Sequence, residues 1–368
     1  MRIFLTSDLH LGMKFAGYPE VQATLAEARF LCLERMVAAA NEAHGDLMVV
    51  AGDLFEKVTM ARRDVQRAAE MLHGFQGRLV AVMPGNHDYM APDDELWPRF
   101  RDGCGDSVLV LDEPRPYPLA HYDLDACLYP GPCTSKHSDA NAIGWVRASR
   151  KDPGVRHHVG IAHGSLEGFS PDMDGRYYPM RSQELLDAGM HLWLLGHTHV
   201  RFPAKPGDRD SIFCAGTPEP DGFDCAHEGF AWSLELNDAN AVTAQAIRMG
   251  SLRFMDTSVR IKEPGDLERL EHAFGGEEAK RTILRLRLAG RIPREAFASI
   301  TAMRARMAEK LLHLDFRAEE LREEITPEAI DREYPAGSFP HALLSFLAEK
   351  GDQEALCAAS ELLLEIRS

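Results

Sequence analysis

The sequence predicts an α/β fold built around buried strands. Five apolar runs of strand length occur between residues 2 and 195, and continuous apolar runs of this length are typical of strands buried on both faces. Residues 20–44 and 60–75 carry apolar residues at helical spacing, so amphipathic helices separate the first three runs. Each run ends at a polar residue, and the carboxyl ends of strands are where α/β sheets build their sites.

The polar residues that follow the runs form a consistent set of metal-binding types. Imidazole and carboxylate together suit Mn, Fe or Zn better than Mg or Ca. A pair of such metals that shares one carboxylate forms a clamp for in-line displacement at phosphorus. In chain order, the runs and their polar residues are 2–6 with Asp8 and His10, 47–51 with Asp53, 79–83 with Asn86, His87 and Asp88, 158–162 with His163, and 191–195 with His197 and His199.

Each signal has an ordinary structural explanation when it is taken alone. A single Asp-x-His is more often a buried, hydrogen-bonded histidine, and a Gly-Asp pair after a strand is usually a turn. The segment Asn86-His87-Asp88 could cap a helix. Five such coincidences in order, each at the end of a strand, favour a metal site over that explanation.

The order Asp-x-His, Gly-Asp, Gly-Asn-His-Asp, His, Gly-His-x-His resembles that of the calcineurin-like metallophosphoesterases over about residues 1–235. The resemblance implies a four-layer αββα sandwich, in which two sheets are flanked by helices. It also implies two divalent metals, with Mn expected and Fe or Zn as alternatives. Asp53 would bridge the two ions. One ion would be held by Asp8, His10, Asp53 and His199, and the other by Asp53, Asn86, His163 and His197.

The same resemblance implies a catalytic role for His87, and Asp88 is a candidate to support it. His87 matches the histidine, not itself a ligand, that stabilises the transition state or protonates the leaving oxygen. Asp88 would orient His87 as a neighbouring carboxylate; the alternative, given equal weight, is that Asp88 shapes the turn. Some relatives have a second catalytic histidine three residues after the bridging aspartate. Glu56 stands there in this chain, which weakens the expectation of proton donation and of endonuclease activity.

Three features resemble the SbcD/YhaO group of bacterial DNA repair nucleases. The segment Gly52-Asp53-Leu54-Phe55 is similar to that group, whereas protein serine/threonine phosphatases carry an arginine shortly after the aspartate. Residues 214–220, which run into 228–231, resemble the segment that closes its nuclease domain. The chain also continues for more than a hundred residues past that segment, near which small cyclic-nucleotide phosphodiesterases of the family usually end.

The sequence predicts three regions: a nuclease domain at 1–254, a small α+β capping domain at 255–318 and a helical tail at 319–368. The capping domain is expected from a strand–helix–strand–helix–strand order, and its position resembles the domain that shapes the DNA groove in the SbcD group. The tail has 12 acidic and 4 basic residues, a net of −8 within the chain's −16.

Two apolar stripes in the tail, at 339–347 and 355–366, predict a pair of amphipathic helices that need a surface to bury against. In the SbcD group such helices dock on the coiled-coil base of an SbcC-type ATPase, so the resemblance implies an SbcC-like partner. The alternatives are that the helices pack on their own core or form a homodimer.

Composition limits the classes of protein to consider. The 368 residues are 45% hydrophobic, enough for two domains. No run approaches the ~18 apolar residues of a membrane span, the amino terminus enters a strand at once, and the seven cysteines are scattered. We therefore expect a cytoplasmic protein without a signal peptide or membrane contact. The net charge argues against a large basic DNA-binding surface, although bound divalent ions would add positive charge locally.

These observations predict a Mn-dependent phosphodiesterase that cleaves DNA in repair, as an exonuclease, a single-strand endonuclease or both. A second hypothesis is a stand-alone phosphodiesterase for a cyclic nucleotide or another small phosphodiester. An adaptor that has lost catalysis is disfavoured, because all seven ligand positions and His87 are present.

Overall fold

The computed structural model describes residues 1–92, 95–172, 174–207 and 209–367. The chain divides into two compact units, Met1–Phe254 and Met255–Ser368. The helices of the first unit are α1 (Gln22–Glu42), α2 (Arg62–His73), α3 (Leu96–Cys104), α4 (Gly144–Ala148) and α5 (Ser182–Asp187). Its strands are β1 (Arg2–Thr6), β2 (Leu47–Ala51), β3 (Leu79–Met83), β4 (Val108–Val110), β5 (Tyr117–Pro118), β6 (Ala126–Gly131), β7 (His157–His163), β8 (Leu192–Gly196), β9 (Ile212–Cys214), β10 (Phe230–Leu236) and β11 (Val242–Arg248).

The first unit contains two sheets. One has the order β11-β10-β1-β2-β3-β4 and the other the order β5-β6-β7-β8-β9. Strands β1 to β4 are mutually parallel, as are β6 to β9, whereas β10 is antiparallel to β1. Because β1, β2 and β3 are parallel neighbours, their carboxyl ends lie at one edge of the first sheet. The carboxyl ends of β7 and β8 lie together in the second sheet for the same reason.

The two sheets pack face to face, with helices on both outer sides. Along β1, Leu5 faces the core between the sheets, where it joins Ile161 and Leu194 of the second sheet. Phe4, on the opposite face of β1, packs into the core beneath α1 to α3. A third core lies between the second sheet and helices α4 and α5, around Trp193. The expected four-layer αββα sandwich is confirmed, and burial on both faces explains why the strands read as continuous apolar runs.

The second unit contains a three-stranded sheet with the order β12-β13-β14. Its strands are β12, which begins in the first unit (Arg253–Ile261), β13 (Thr282–Ile292) and β14 (His313–Glu323). Leu284, Leu286 and Leu288 of β13 form a core with Met303 and Met307. The helices are α6 (Pro264–Ala273), α7 (Arg294–Lys310), α8 (Pro327–Glu333), α9 (Phe339–Lys350) and α10 (Gln353–Arg367).

Strand β14 is longer than its apolar pattern suggests. The pattern stops at Phe316, but the backbone continues to pair with β13 as far as Glu323. Residue 319, the predicted start of the helical tail, therefore lies inside a strand. Within the tail, Leu344 of α9 and Leu356 of α10 share a small core with Ile330 and Tyr334. None of the helices in the described ranges is long and apolar enough to cross a membrane.

Candidate metal centre

The backbone adopts an unusual conformation at four of the predicted ligands. Asp8, His10, Asp53 and His197 have φ angles of 55°, 47°, 53° and 90°. A left-handed backbone costs a residue other than glycine about 1–3 kcal/mol, and such residues cluster where function requires them. Each of the four lies just after a strand, so the strain is concentrated at the sheet edges that carry the predicted site.

Two glycines make the close approach of these segments feasible. A Cβ atom at Gly85 would collide with the Asp53 carboxylate, and one at Gly52 would collide with the His163 ring. Gly52 also has a φ of 95°, which disfavours any other residue. Glycine at 85 therefore lets the turn after β3 approach the turn after β2, and glycine at 52 lets the turn after β2 approach His163 at the end of β7.

Asp8, His10, Asp53 and His199 are the first ligand group. The Nε2 atoms of His10 and His199 are 3.3 Å apart. Asp8 Oδ1 lies 3.9 Å from the Nε2 atom of His199, and Asp53 Oδ2 lies 3.7 Å from that of His10. Asp8, His10 and Asp53 are almost fully buried. Two carboxylates and two imidazole nitrogens thus converge on one small volume.

Asp53, Asn86, His163 and His197 are the second ligand group. Asn86 Oδ1 lies 3.0 Å from His163 Nε2 and 3.1 Å from His197 Nδ1. Asp53 Oδ2 lies 3.2 Å from His163 Nε2. Asp53 therefore reaches both groups, as the bridging role requires. Because each group offers a buried cluster of imidazole nitrogens and carboxylate or amide oxygens, the residues fit a pair of divalent transition metals.

The electrostatics of the site are dominated by the buried carboxylates and histidines acting on one another. Burial alone would raise the pKa of Asp53, but His163, His10 and His87 hold that pKa below its usual range. Burial alone would lower the pKa of His163, but Asp53 and Asp8 raise it to about 9. Burial lowers the pKa of His197 to about 4, with a further contribution from His163. Asp53 is consequently ionised at neutral pH and available to a cation.

His87 stands beside the first ligand group. Its ring meets that of His10 edge to face at 4.7 Å, and its Nδ1–H donates to the Glu56 carbonyl at 3.1 Å. The Nε2 atom is then left for a substrate. Burial lowers the pKa of His87, although Asp53 opposes this effect. With Nδ1–H on the Glu56 carbonyl, the neutral ring accepts a hydrogen bond at Nε2, and it can donate a proton there only in its imidazolium form, which burial disfavours.

Asp88 does not contact the His87 ring in the way that the orienting role would require. Its carboxylate accepts hydrogen bonds from the backbone N–H groups of Gly85, at 2.7 Å, and Phe55, at 3.0 Å. Burial, with the neighbouring Asp53, raises its pKa to about 7. These contacts are those of the turn-holding alternative, because they tie the turn after β3 to the segment after β2. The His87 ring is held instead by the Glu56 carbonyl.

Three further residues contact the site and were not among the predicted site residues. Glu56 Oε2 lies 3.1 Å from His10 Nδ1, and Asp221 Oδ2 lies 3.6 Å from His199 Nδ1. Arg29 of α1 is buried and donates to Asp221. One signal in the sequence could have revealed Arg29: it lies four residues from both Leu25 and Leu33, so a charge interrupts the apolar stripe of a helix.

An aromatic side chain lies at the rim of the second ligand group. Tyr177, in the loop after β7, has its ring 5.1 Å from that of His197 and 5.0 Å from that of His137. The loop is anchored by Tyr178, whose hydroxyl accepts hydrogen bonds from the backbone of Thr134 and Ser135. Met173, in the same loop, lies outside the described residues.

The fold and the site together define a metallophosphoesterase domain. The model of the calcineurin-like phosphoesterase family matches residues 1–201, more than half of the chain. The chain belongs to this family, and the resemblance inferred from its motifs is confirmed.

Two curated relatives are similar at low identity. The uncharacterized metallophosphoesterase YhaO of Bacillus subtilis is 28% identical over 212 residues, which cover 53% of this chain and 48% of YhaO. The DNA double-strand break repair protein Mre11 of Methanopyrus kandleri is 24% identical over 242 residues, 60% of this chain and 49% of Mre11. This chain thus spans about half the length of each relative. The solved structure of TT1561 from Thermus thermophilus has a TM-score of 0.37 at 11% identity and covers 66% of this chain and 97% of its own.

Proposed function

We propose that this protein is a Mn-dependent phosphodiesterase that hydrolyses DNA phosphodiester bonds in DNA repair. One observation carries the phosphodiesterase part of the proposal: two ligand groups converge at facing sheet edges and share Asp53. When two divalent cations are bound, they supply Lewis acidity toward the phosphoryl group. Asp8, His10, Asp53 and His199 would hold one cation, and Asp53, Asn86, His163 and His197 the other.

The remaining chemistry would be supplied by the chain itself. The leaving oxygen of a phosphodiester needs a proton, which His87 would supply from Nε2 in its imidazolium form while Nδ1–H stays on the Glu56 carbonyl. Because most of the proposed ligands are buried and Asp53 is ionised, their side chains would stay in place during the reaction. Little energy would then be spent on moving them as charge develops on the phosphoryl group. Glu56 faces His10 rather than a leaving group, which fits a protein that relies on one histidine for proton transfer.

DNA as the substrate is supported by the relatives rather than by a basic surface. Mre11 of Methanopyrus kandleri is named as a double-strand break repair protein, and the SbcD/YhaO resemblance points the same way. A net charge of −16 limits binding to the phosphate backbone. This charge favours short contacts at DNA ends or single strands over a long duplex footprint, and it equally favours the second candidate, a small phosphodiester.

A coiled-coil ATPase of the SbcC type is the partner that we propose for the tail. Phe339 and Phe346 of α9 are 72% and 55% exposed, and Leu362 and Ile366 of α10 are 59% and 81% exposed. Exposed apolar residues on two adjacent helices form a surface that a partner can cover. Because these side chains are exposed, Phe339→Ser with Phe346→Ser should leave the fold intact but abolish co-purification with a co-expressed ATPase of this type. Loss of self-association in the variant, seen by sedimentation, would favour the homodimer instead.

The proposed function is tested by hydrolysis in the presence of Mn²⁺. The substrates are 5′- and 3′-labelled single- and double-stranded DNA, a cyclic nucleotide and a generic aryl phosphodiester, with Asp53→Asn as the control. We expect DNA cleavage that the variant lacks. Turnover of the cyclic nucleotide without cleavage of any DNA would contradict the proposal and support the small-substrate candidate.

A further inference from the structure

Asp221 and Arg29 form a hydrogen-bonded ion pair next to His199 of the first ligand group, on the side away from the predicted metal. The segment of residues 215–221 follows β9 and ends at Asp221, which faces His199. We propose that Asp221, fixed by the buried Arg29, is a positioning residue that orients His199 and so sets the affinity of the first ligand group for its metal. This inference rests on the proposed two-metal site but not on DNA as the substrate.

The two nitrogens of the His199 ring face different partners. Nε2 points into the first ligand group, 3.3 Å from His10 Nε2 and 3.9 Å from Asp8 Oδ1. Nδ1 points the other way, 3.6 Å from Asp221 Oδ2. A metal-binding histidine commonly presents its second nitrogen to a carboxylate, which fixes the tautomer and the ring orientation. Asp221 occupies that position for His199.

Arg29 explains why Asp221 can hold this position. Its guanidinium is 1% exposed and donates from Nη2 to Asp221 Oδ2 at 2.6 Å. The Nη1 atom of the same group donates to the carbonyl of Leu9 at 2.6 Å. Leu9 lies between two predicted ligands, Asp8 and His10. One rigid, planar guanidinium therefore ties the turn after β1 to the carboxylate behind His199.

A separate metal site formed by His199, Asp221 and Cys225 is a weaker interpretation. Their ligand atoms lie within 4.8 Å of one another. However, the Asp221 oxygen that faces His199 already accepts the hydrogen bond from Arg29. A cation bound there would lie against a buried guanidinium, and the two like charges would repel one another. The positioning role avoids this repulsion because Asp221 keeps its hydrogen bond from Arg29 and no cation is placed beside the guanidinium.

The chain offers a matched control for Asp221 and Arg29. Arg35, six residues further along α1, donates to Glu219 of the same segment at 2.7 Å. Glu219 is buried and also accepts hydrogen bonds from the backbone N–H groups of Ser251 and Leu252. Arg35→Met thus removes an ion pair between the same helix and the same segment, at a point where the partners are not metal ligands.

The test is Mn²⁺ binding by equilibrium dialysis and calorimetry, with thermal unfolding as a check on folding. The proteins are the wild type, Asp221→Asn, Arg29→Met and Arg35→Met. We expect Asp221→Asn to weaken one of two bound ions by roughly 10–100-fold and to leave the other unchanged. Arg29→Met should weaken the same ion, and Arg35→Met should bind both ions as the wild type does.

Asp221→Asn keeps the size of the side chain, so it remains informative even where Arg29→Met fails to fold. Wild-type affinity for both ions in Asp221→Asn would overturn the inference. An equal loss in Arg35→Met would also overturn it, because the effect would then be a general loosening of α1. A wild-type protein that binds no Mn²⁺ would overturn the proposed metal centre itself. Two ions in the wild type with one of them weakened in Asp221→Asn would support the role of Asp221 even if the protein cleaved no DNA, and that result would remove only the DNA substrate.

Discussion

The two ligand groups are supported by different parts of the protein. In the first group, both histidines face a side-chain carboxylate through Nδ1: His10 faces Glu56 and His199 faces Asp221. In the second group, His163 Nδ1–H donates to the Ala51 carbonyl at 2.9 Å. Both histidines of the first group thus face charged side chains from other segments, whereas His163 of the second group is held by the main chain of a buried strand. We therefore expect substitutions around the site to affect the two metals unequally.

The largest effect should come from Asp53, the residue that the two groups share. Asp53→Asn removes the bridging charge, so we expect loss of both metals and a fall in hydrolysis of at least ~10³-fold. Metal analysis after dialysis, together with the rate, measures this outcome. Retention of one tightly bound ion would show that the two groups are more independent than their shared carboxylate suggests.

His87 should separate metal binding from turnover. His87→Ala removes the imidazole beside the first group but none of the proposed ligands. We expect unchanged Mn²⁺ binding and a fall in kcat of roughly 10²–10⁴-fold, the usual contribution of a positioned acid. Steady-state kinetics on the substrate that proves active measures the change. A near-normal rate would remove His87 from the catalytic machinery.

Glu56 allows a direct test of the difference between the two groups. Glu56→Gln keeps the backbone carbonyl that holds His87 but removes the charge facing His10. We expect the first ion alone to bind about 10–100-fold more weakly. Titration with Mn²⁺, followed by calorimetry, resolves the two ions. Weakening of the second ion instead would mean that the carboxylates support the site as a whole.

Metal binding should depend on pH in both groups, because the pKa values of His163 in the second group and of His199 in the first are raised above their usual range. Without metal, His163 has a pKa raised to about 9 by Asp53 and Asp8 despite its burial, so the ring is protonated near neutral pH. Metal binding requires the neutral ring and must displace that proton. Affinity of the second ion should therefore rise roughly tenfold per pH unit between about 7 and 9. Calorimetry in buffers of different ionisation enthalpy should detect the released proton, and no release would contradict this assignment.

The sequence predicted the layered fold because buried strands carry a local pattern. The residues proposed as ligands lie at or just after the ends of these strands, so their convergence at the sheet edges follows from runs of five or so residues. The residues that hold His199 of the first group in place could not be predicted from such a local pattern. The pair of Arg29 and Asp221 joins residues 192 positions apart and exists only because α1 packs against the segment after β9.

The structure differs from the sequence-based expectation at two other places, Asp88 and strand β14, and in both the cause is a backbone hydrogen bond. Asp88 is adjacent to His87 in the sequence, but its carboxylate turns toward the backbone of Gly85 and Phe55 because those N–H groups are buried and need an acceptor. Strand β14 continues past Phe316 because pairing along β13 satisfies its backbone whatever its side chains are. Hydrogen-bonding needs of this kind leave little trace in hydrophobic periodicity.

Counting bound Mn²⁺ and recording its electron paramagnetic resonance spectrum would show whether two metals share Asp53. We expect two ions per chain with the spectrum of a magnetically coupled pair, and neither feature in Asp53→Asn. A single ion per chain, or two ions with the spectra of isolated Mn²⁺, would contradict the shared site.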